Sequence, residues 1–245
     1  MIRAGMRRPL TRVTRWLCLS MVVFFATSLL LVAPFRWLDP PTSAFMAWHW
    51  IDGRLAGRQP PLVFHEWADW SAMAPEMALA VVAAEDQRFP EHHGFDLVEI
   101  RKAWQRHRDG GRLRGASTLS QQTAKNLYLW PGRDWLRKGL EAWLTALIEA
   151  LWPKQRILEI YLNIAQFGPD TYGVGSASWR FFDRPPIALE PAQAALLAAV
   201  LPNPDLYRVD APSTRVRQRA AWIQRQMRQL GGTSYIDRLS DFGVR

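Results

Sequence analysis

Cysteine is almost absent from this 245-residue chain, which contains only Cys18. A single thiol excludes an intrachain disulfide framework and a zinc site built from several thiolates. Histidine is also sparse: of five residues only His92-His93 are close in sequence, and no His-x-x-x-His spacing occurs. A structural transition-metal site is therefore not expected, and no residue is assigned to one.

Acidic residues are fewer than basic ones, 22 against 31, and the formal net charge is +9. This excess indicates an anionic partner, which could be nucleic acid, a membrane surface or a phosphorylated substrate. Apolar residues make up 49% of the chain and tryptophan occurs 13 times. Such a composition excludes a largely disordered chain, and the length fits one ordinary domain with an appendage.

The positive charge is concentrated in two blocks. Residues 1–35 contain five arginines and no acidic residue, and residues 101–138 contain ten basic and two acidic residues. The first block precedes an uncharged run of 20 residues, Trp16 to Phe35. As a helix this run is roughly 30 Å long, which is enough to cross a membrane. Basic residues on one side of a span place that side in the cytoplasm, so the chain after Phe35 is predicted to face outward.

Two alternatives to a membrane anchor remain for this run. One is a cleaved signal peptide, whose apolar region usually has only about 7–15 residues. The other is a buried core helix, which fits less well because the run is terminal and apolar on all sides. We therefore predict a cytoplasmic basic tail over residues 1–15 and a single transmembrane helix over 16–35. The chain that follows the span is then predicted to lie on the outer side of the membrane.

The remainder of the chain is predicted to be mainly α. Residues 36–70, rich in proline and tryptophan, are interpreted as a linker with an extended segment around Leu62 to Phe64. A folded domain is predicted over 71–230 and a C-terminal tail over 231–245. Apolar periodicity and helix caps predict a helix from Pro75 to Phe89-Pro90, and further helices over 97–108, 117–129, after Asp134, after Pro153, over 191–200 and over 212–230.

Glu85 is unusual because it falls on the apolar stripe of its predicted helix, with Ala78, Val81 and Val82. A carboxylate in an apolar pocket has a raised pKa, which suits proton transfer near neutral pH. The alternative is an acid at a helix end that turns into solvent, since Asp86 follows directly. Position alone leaves both interpretations open.

Five ordered signatures run through residues 85–182. The first is Glu85-Asp86-x-x-Phe89-x-x-His92-x-Gly94-Phe95-Asp96. The others are the segment from Gly115 to Gln122 continued by Lys125-Asn126, then Arg137-Lys138-x-x-Glu141, the segment from Lys154 to Asn163, and Tyr172-Gly173-Val174 with Arg180-Phe181-Phe182. Together they resemble the peptidoglycan glycosyltransferases (glycosyltransferase family 51). The resemblance covers roughly residues 60–205. It is closest to the monofunctional branch, because the sequence has no Ser-x-x-Lys or Lys-Thr-Gly motif of a transpeptidase.

The resemblance implies a lysozyme-like α-helical glycosyltransferase head with a small membrane-proximal jaw lobe. Such enzymes polymerise lipid II into glycan strands, converting an α-linked pyrophosphate into a β-1,4 link. By resemblance, Glu85 is the general base, and Glu141 lies near the leaving pyrophosphate. A divalent cation (Mg²⁺ or Mn²⁺) is a possible assistant there, with no tightly bound cofactor. Implied partners are lipid II, the nascent glycan strand, the membrane and other cell-wall synthases.

The resemblance also nominates substrate-binding residues. Lys125, Arg137 and Lys138 are expected to bind pyrophosphate, and the basic block before Glu141 supplies the positive charge that its departure needs. The alternative is a solvated basic face or a nucleic-acid site, which the outward topology argues against. The other nominated residues are Asp86, Phe89, His92, Ser117, Thr118, Gln121, Gln122 and Asn126. Asp86 and His92 are interpreted as orienting residues, and Ser117 and Thr118 could equally cap a helix.

Three positions depart from the family pattern: Gln166 and Gly175 stand where acids are frequent, and Phe181 replaces a usual tyrosine. They leave Glu85 and Glu141 unaffected but put nearby polar contacts in doubt. Two other functional classes remain as alternatives. A lysozyme-like hydrolase or lytic transglycosylase would share the fold and one glutamate, and a non-catalytic cell-wall scaffold would not need the glutamate pair.

Overall fold

The computed structural model describes residues 7–57, 63–111 and 117–241. Within these ranges the chain is mainly helical, as predicted. The helices are α1 (Arg7–Val32), α2 (Ala44–Leu55), α3 (Pro75–Glu85), α4 (Leu97–Arg108), α5 (Leu119–Tyr128), α6 (Trp135–Leu151), α7 (Lys154–Ile164), α8 (Val174–Phe182), α9 (Pro191–Val200), α10 (Thr214–Gln229) and α11 (Ser234–Asp241).

Three short strands form a small mixed sheet in the order β1-β3-β2. β1 (Phe64–His65) is parallel to β3 (Thr171–Tyr172), and β2 (Gln166–Gly168) is antiparallel to β3 with an irregular register. The sheet joins the chain before α3 to the connection between α7 and α8. Of the extended segment predicted around Leu62 to Phe64, Phe64 lies in β1, whereas Leu62 is outside the described residues.

Helices α3 and α9 form the centre of the domain, and α10 packs on both. Seven consecutive residues of α3, Met77 to Ala83, are buried, as are most residues of α9. A helix that is apolar on all sides is stable only when other elements surround it. Glu85 ends α3, so the central helix carries this acid directly to the edge of the core.

Helix α1 is docked against the domain along α6. The Trp143 indole donates to the Ser28 hydroxyl at 3.1 Å, and the Trp152 indole donates to the Val32 carbonyl at 3.0 Å. Residues 12–36 are long and apolar enough to cross a membrane. The predicted membrane anchor thus corresponds to a candidate span in α1, whose C-terminal half contacts the domain.

The structure adds three helices to the predicted pattern, namely α2, α8 and α11. Helix α2 lies in the segment interpreted as a linker, where Ser43 caps it by accepting from the Met46 amide at 3.2 Å. Helix α11 lies in the predicted tail and packs against α3 and α7. All three are short and held by tertiary contacts, so their local sequence gives a weak helical signal. The domain boundaries themselves remain predictions.

Candidate active site

Glu85 lies at the rim of the core with its carboxylate held from two sides. Its side chain is 16% exposed. Oε2 accepts from Gln122 Nε2 at 3.1 Å, and Oε1 accepts from Arg219 Nη2 at 3.0 Å. Burial raises the pKa of Glu85, while Gln122 and Arg219 oppose that rise. The low exposure of the side chain agrees with the interpretation of a carboxylate at the apolar edge of the core rather than an acid turned into solvent.

Gln122 is oriented by a buried tyrosine. The Tyr161 hydroxyl donates to Gln122 Oε1 at 3.2 Å, which leaves the amide nitrogen facing Glu85. Burial raises the pKa of Tyr161 well above its ordinary value, so the phenol stays protonated and remains a donor. The position of the Glu85 carboxylate is thus fixed through two successive hydrogen bonds.

Asp86 connects the end of α3 to the start of α5. Its Oδ2 accepts from the Leu119 amide at 3.0 Å, and His92 Nε2 lies 2.9 Å from Oδ1. A carboxylate at a helix N-terminus is favoured by the unpaired amides and the helix dipole. Because α5 carries Gln122, this junction sets the distance between Gln122 and Glu85. These contacts agree with an orienting role for Asp86 and His92, which stays a prediction.

Phe89, predicted to bind substrate, has no access to it in the structure. Its ring is fully buried, and the Lys154 ammonium lies 4.4 Å from the ring centroid. A side chain in this position contributes to the core and is separated from the cleft. The first signature contains Phe89 because this ring packs in the core next to Asp86 and His92.

Thr118 and Gln121 form the N-terminal cap of α5. Thr118 accepts from the Gln121 amide at 3.2 Å, and Gln121 Oε1 accepts from the Thr118 amide at 3.0 Å. The Thr118 hydroxyl also donates to the Gly94 carbonyl at 2.6 Å. Both side chains are buried, and their hydrogen bonds cap the helix. Ser117 is exposed, and it lines the larger cleft together with Thr118.

Gly94 shows why the first signature contains a glycine. Its φ is +82°, and a Cβ at this position would lie 2.7 Å from Thr145 Cγ2 of α6. A side chain here would meet both backbone strain and a clash with a helix. Glycine therefore allows the Gly94 carbonyl to approach α5 and accept from Thr118.

Glu141 is surrounded by basic side chains on α6. Arg137 Nη1 donates to its Oε2 at 2.8 Å, and Lys138 Nζ donates to its Oε1. Arg137 and Glu141 are buried, whereas the Lys138 side chain is 44% exposed. Asp134 caps the helix by accepting from the Arg137 amide at 2.8 Å, as predicted.

Lys125 lies within electrostatic range of both glutamates. Burial lowers its pKa, Glu141 and Glu85 raise it, and Arg137 and Lys138 lower it. The Lys125 ammonium also lies 5.4 Å from the centroid of the Phe45 ring on α2. The structure therefore brings Lys125, Arg137, Lys138 and Glu141 into one basic cluster beside Glu85.

Two cavities meet at the Glu85–Gln122 pair. A cleft of about 570 Å³ is lined by Glu85 and Ser117 and by the basic residues Arg88, Lys102 and Arg106. A second cavity of about 230 Å³ is lined by residues that include Phe45, Gln122, Lys125, Asn126, Tyr161 and Tyr172. Asn126 Oδ1 is buried without a partner among the described residues, so it can accept a hydrogen bond from a ligand. The hydrogen-bonded pair therefore lies where the larger cleft, lined by Glu85, approaches the smaller cavity, lined by Gln122.

A group of potential metal ligands lies behind the cleft. Ligand atoms of Asp86, His92 and Asp96 are all within 4.8 Å of one another. Each carboxylate already has protein partners, because Asp96 caps α4 and lies 3.2 Å from Arg88 while Asp86 holds Leu119 and His92. The clustering is accounted for by these capping and pairing roles.

Arg219 and Phe45 are site residues that the sequence reasoning missed. Arg219 belongs to an arginine-rich helix, and its contact with Glu85 spans 134 residues of sequence, so no local spacing marks it. Phe45 belongs to α2, which was not predicted. The helical period of residues 212–230, which places Arg219 near the buried Ala220 and Ile223, is the one signal that could have suggested it.

The structure shows the surroundings of Gln166, Gly175 and Phe181, the three residues that depart from the family pattern. Gln166 Nε2 donates to Asp205 Oδ1 at 2.9 Å and to the Gly168 carbonyl at 3.0 Å. A Cβ at Gly175 would lie 2.4 Å from the Glu66 carbonyl oxygen, which leaves no space for an acidic side chain. Phe181 packs against Gly168, where a ring without a hydroxyl has no buried polar group to satisfy.

Comparison with known proteins identifies relatives over most of the chain. Residues 58–228 match the protein family described as Transglycosylase. A protein of Xanthomonas axonopodis pv. citri is 49% identical over 96% of this chain and 95% of its own length. One of Citrobacter koseri is 51% identical over 96% and 95%, and one of Klebsiella oxytoca is 55% identical over 84% and 85%. All three carry the name biosynthetic peptidoglycan transglycosylase.

Proposed function

The chain belongs to the Transglycosylase family and is a peptidoglycan glycosyltransferase, and from this premise we propose that it polymerises lipid II. In this reaction the growing glycan leaves undecaprenyl pyrophosphate and joins the 4-hydroxyl of an incoming lipid II, with inversion and without transpeptidase activity. The Transglycosylase domain has a lysozyme-like helical fold, which confirms the predicted fold class.

The placement of Glu85 between two cavities is the observation that carries the proposal. An acceptor sugar in the larger cleft presents its 4-hydroxyl to the Glu85 carboxylate, which takes the proton as the oxygen attacks. Burial raises the pKa of Glu85 and makes the ionised carboxylate a stronger base, while Arg219 keeps enough of it ionised. Gln122 and Arg219 fix the carboxylate so that little reorganisation is needed.

The basic cluster around Glu141 supports departure of the pyrophosphate on the other side. Negative charge grows on the leaving group, and preorganised cations stabilise it most effectively in a partly desolvated site. Lys138 is more accessible to a substrate than Arg137, because its side chain is 44% exposed and that of Arg137 is 9% exposed. It can exchange its contact with Glu141 for one with a phosphate oxygen, while Arg137 remains paired and holds Glu141 in place.

The residues around Glu141 fit a cation bound with the substrate rather than by the protein. Mg²⁺ and Mn²⁺ prefer carboxylate and phosphate oxygens. Both oxygens of Glu141 are already engaged, by Arg137 and Lys138. When bound, a divalent cation would neutralise charge on the departing pyrophosphate, and Glu141 would become a ligand only if Lys138 moved away.

The anchor supports a location at the inner membrane, with the N-terminus in the cytoplasm and the domain in the periplasm. Arg12 and Arg15 stand at the start of the span, where the positive-inside rule places the cytoplasm. The partners in this proposal are lipid II, the nascent strand and, through the same membrane, other cell-wall synthases.

Purified full-length protein and fluorescent lipid II test the proposal. We expect polymer with the wild type and none with Glu85→Gln, with an unchanged circular dichroism spectrum. Glu66→Gln is the control, because Glu66 is outside both cavities, and it should retain full polymerisation. Cleavage of preformed glycan without polymer formation would instead favour the hydrolase alternative, and full turnover by Glu85→Gln would remove Glu85 as the base.

A further inference from the structure

A third cavity lies beside the ion pair of Glu85 and Arg219. Its volume is about 340 Å³, and the residues that line it are Pro202, Tyr207, Arg215, Arg219 and Trp222. Trp222 also lines the larger cleft, and Pro202 also lines the smaller cavity. This third cavity, which we name the α10 pocket, therefore borders both spaces beside Glu85. Its size falls within the range of about 300–1,000 Å³ that is typical of ligand pockets.

The charge of the α10 pocket is entirely positive. Both of its charged lining residues are arginines, and none of the lining residues is acidic. Arg219 donates to Glu85 through Nη2, whereas its Nε is buried without a partner among the described residues. Arg215 takes part in no ion pair within the described part of the chain. Guanidinium groups bind planar carboxylates and phosphates through two parallel hydrogen bonds, so the pocket is suited to an anionic group.

Two aromatic side chains give the α10 pocket an amphipathic wall. Tyr207 is half-buried and Trp222 is 37% exposed, so part of each ring faces the cavity. The Arg215 guanidinium lies 5.8 Å from the centroid of the Tyr207 ring, which holds it at the side of the pocket. Aromatic rings with a polar edge contact both apolar and polar parts of a ligand. The ligand that fits this wall therefore combines apolar surface with a negative charge.

The negative charge is better explained by a carboxylate than by pyrophosphate. The cations that we assign to the leaving pyrophosphate are Lys125, Arg137 and Lys138, and none of them lines the α10 pocket. A peptidoglycan precursor carries a second kind of anion, because its peptide ends in carboxyl groups that are ionised at neutral pH. The peptide branches from the sugar, so it needs a space at the side of the path that the glycan follows.

We propose that the α10 pocket binds the peptide branch of the glycan substrate and that Arg215 pairs with a carboxylate of this peptide. The inference rests on the proposed function, because it requires a sugar that reacts at Glu85. The pocket then receives the branch of that sugar, with Tyr207 and Trp222 beside its apolar portions. Arg215 thus determines specificity, since it favours a peptide with a free carboxylate over one whose carboxyl groups are amides.

A matched pair of substrates and a matched pair of variants test this proposal on the full-length chain. One fluorescent lipid II carries free peptide carboxyl groups, and the other carries the same peptide with these groups converted to amides. The test variant is Arg215→Gln. The control is Arg228→Gln, at an exposed arginine of α10 that is not among the residues lining the pocket. Circular dichroism and Tm establish that both variants are folded.

We expect the wild type to have a several-fold lower KM for the carboxylate substrate than for the amide, with a similar kcat. Arg215→Gln should raise the KM for the carboxylate to that for the amide, and should leave the KM for the amide unchanged. Arg228→Gln should behave as the wild type. Equal KM values for the two substrates in the wild type would overturn the proposal. An equal rise of KM on both substrates in Arg215→Gln would also overturn it, and would indicate that Arg215 binds another anion, such as pyrophosphate.

A binding measurement separates this inference from the proposed function. Fluorescence anisotropy compares the two substrates on Glu85→Gln and on Glu85→Gln combined with Arg215→Gln, so no turnover is needed. If the wild type makes no polymer, the proposed reaction fails, whereas tighter binding of the carboxylate that depends on Arg215 would retain the pocket. Normal polymerisation, with equal binding of both substrates to the two proteins, would retain the reaction and overturn the pocket.

Discussion

Glu85 and Arg219 form an ion pair of 3.0 Å between the last residue of α3 and the middle of α10. The pair holds the carboxylate at the boundary of two cavities and couples it to a helix near the end of the domain. Burial raises the pKa of Glu85, and the charge of Arg219 acts against that rise. The pH range in which Glu85 can accept a proton therefore depends on a residue 134 positions away.

Arg219→Gln should raise the pKa of Glu85 further, because it removes the cation while burial remains. We expect the acidic limb of the polymerisation profile, measured as kcat/KM against pH, to move to higher pH. Arg219→Lys keeps the charge and should move the limb less. Arg225→Gln, an exposed position on the same helix, is the control and should leave the limb in place. An unmoved limb in Arg219→Gln would show that Arg219 does not influence the base.

Glu85→Gln should also change the pH dependence of stability. Because the folded-state pKa of Glu85 is above its unfolded value, folding favours the protonated carboxyl. The stability that the protonated group contributes is present below the unfolded pKa and is lost as pH rises through the folded pKa. Glutamine cannot ionise, so the variant should match the wild type in acid and have the higher Tm at neutral pH. Equal Tm values at both would contradict a raised pKa.

Substitution of Arg137 should mainly lower stability, whereas substitution of Lys138 should mainly lower catalytic activity. Arg137→Met leaves the buried Glu141 without its buried partner and should cost about 3–5 kcal/mol of unfolding free energy. Lys138→Met removes a half-exposed cation and should cost at most about 1 kcal/mol. If Lys138 contacts the leaving pyrophosphate, the second variant should nevertheless lose most of its kcat. Denaturant unfolding and lipid II turnover, measured on the same preparations, check both statements.

Features set by neighbouring residues in the sequence could be predicted, whereas contacts between distant parts of the chain could not. The sequence predicts helices α4 and α9 with the same bounds as the structure, because capping residues and prolines mark their ends. The four-residue spacing puts Arg137 and Glu141 on one face of a helix, but their burial could not be predicted from it. Arg219 could not be placed, because its partner is set by the packing of α10 on α3 and not by any spacing.

Burial decides which signature residues can face a ligand. The motifs nominate Phe89, Thr118 and Gln121 together with Ser117, Gln122 and Lys125, without distinguishing the two groups. In the structure Phe89 and Gln121 are buried in the core or in a helix cap, Thr118 is a buried cap residue at the wall of the larger cleft, and the last three line cavities. A motif identifies residues that the site requires, whereas three-dimensional packing shows which of them contact substrate and which support it.

Asp86→Ala should impair the enzyme through structure. It leaves the Leu119 amide and His92 without their carboxylate, and a buried polar group without its partner costs about 1–3 kcal/mol. Because Gln122 moves with α5, we also expect a fall in kcat. Glu91→Ala, at an exposed acid nearby, should change neither quantity appreciably. Full stability with lost activity in Asp86→Ala would instead indicate direct contact with substrate.

Removal of residues 1–35 should weaken activity on membranes more than on detergent-solubilised substrate, because the anchor concentrates the enzyme at its substrate. The structure adds that the deletion exposes the α6 surface and leaves the indoles of Trp143 and Trp152 without Ser28 and Val32. We therefore also expect a lower Tm in detergent. Ser28→Ala keeps the anchor and removes one hydrogen bond, so it should cost only about 0.5–1.5 kcal/mol.

A comparison of polymerisation in membranes and in detergent shows whether α1 only localises the enzyme or also positions α6. Trp143 follows Glu141 by two positions on α6, so the helix that contacts α1 is also the helix that carries the basic cluster. Equal losses of polymerisation in membranes and in detergent would mean that α1 positions this helix as well as localising the enzyme. A loss confined to membranes, with an unchanged Tm, would mean that the docking of α1 on α6 has no influence on the cluster.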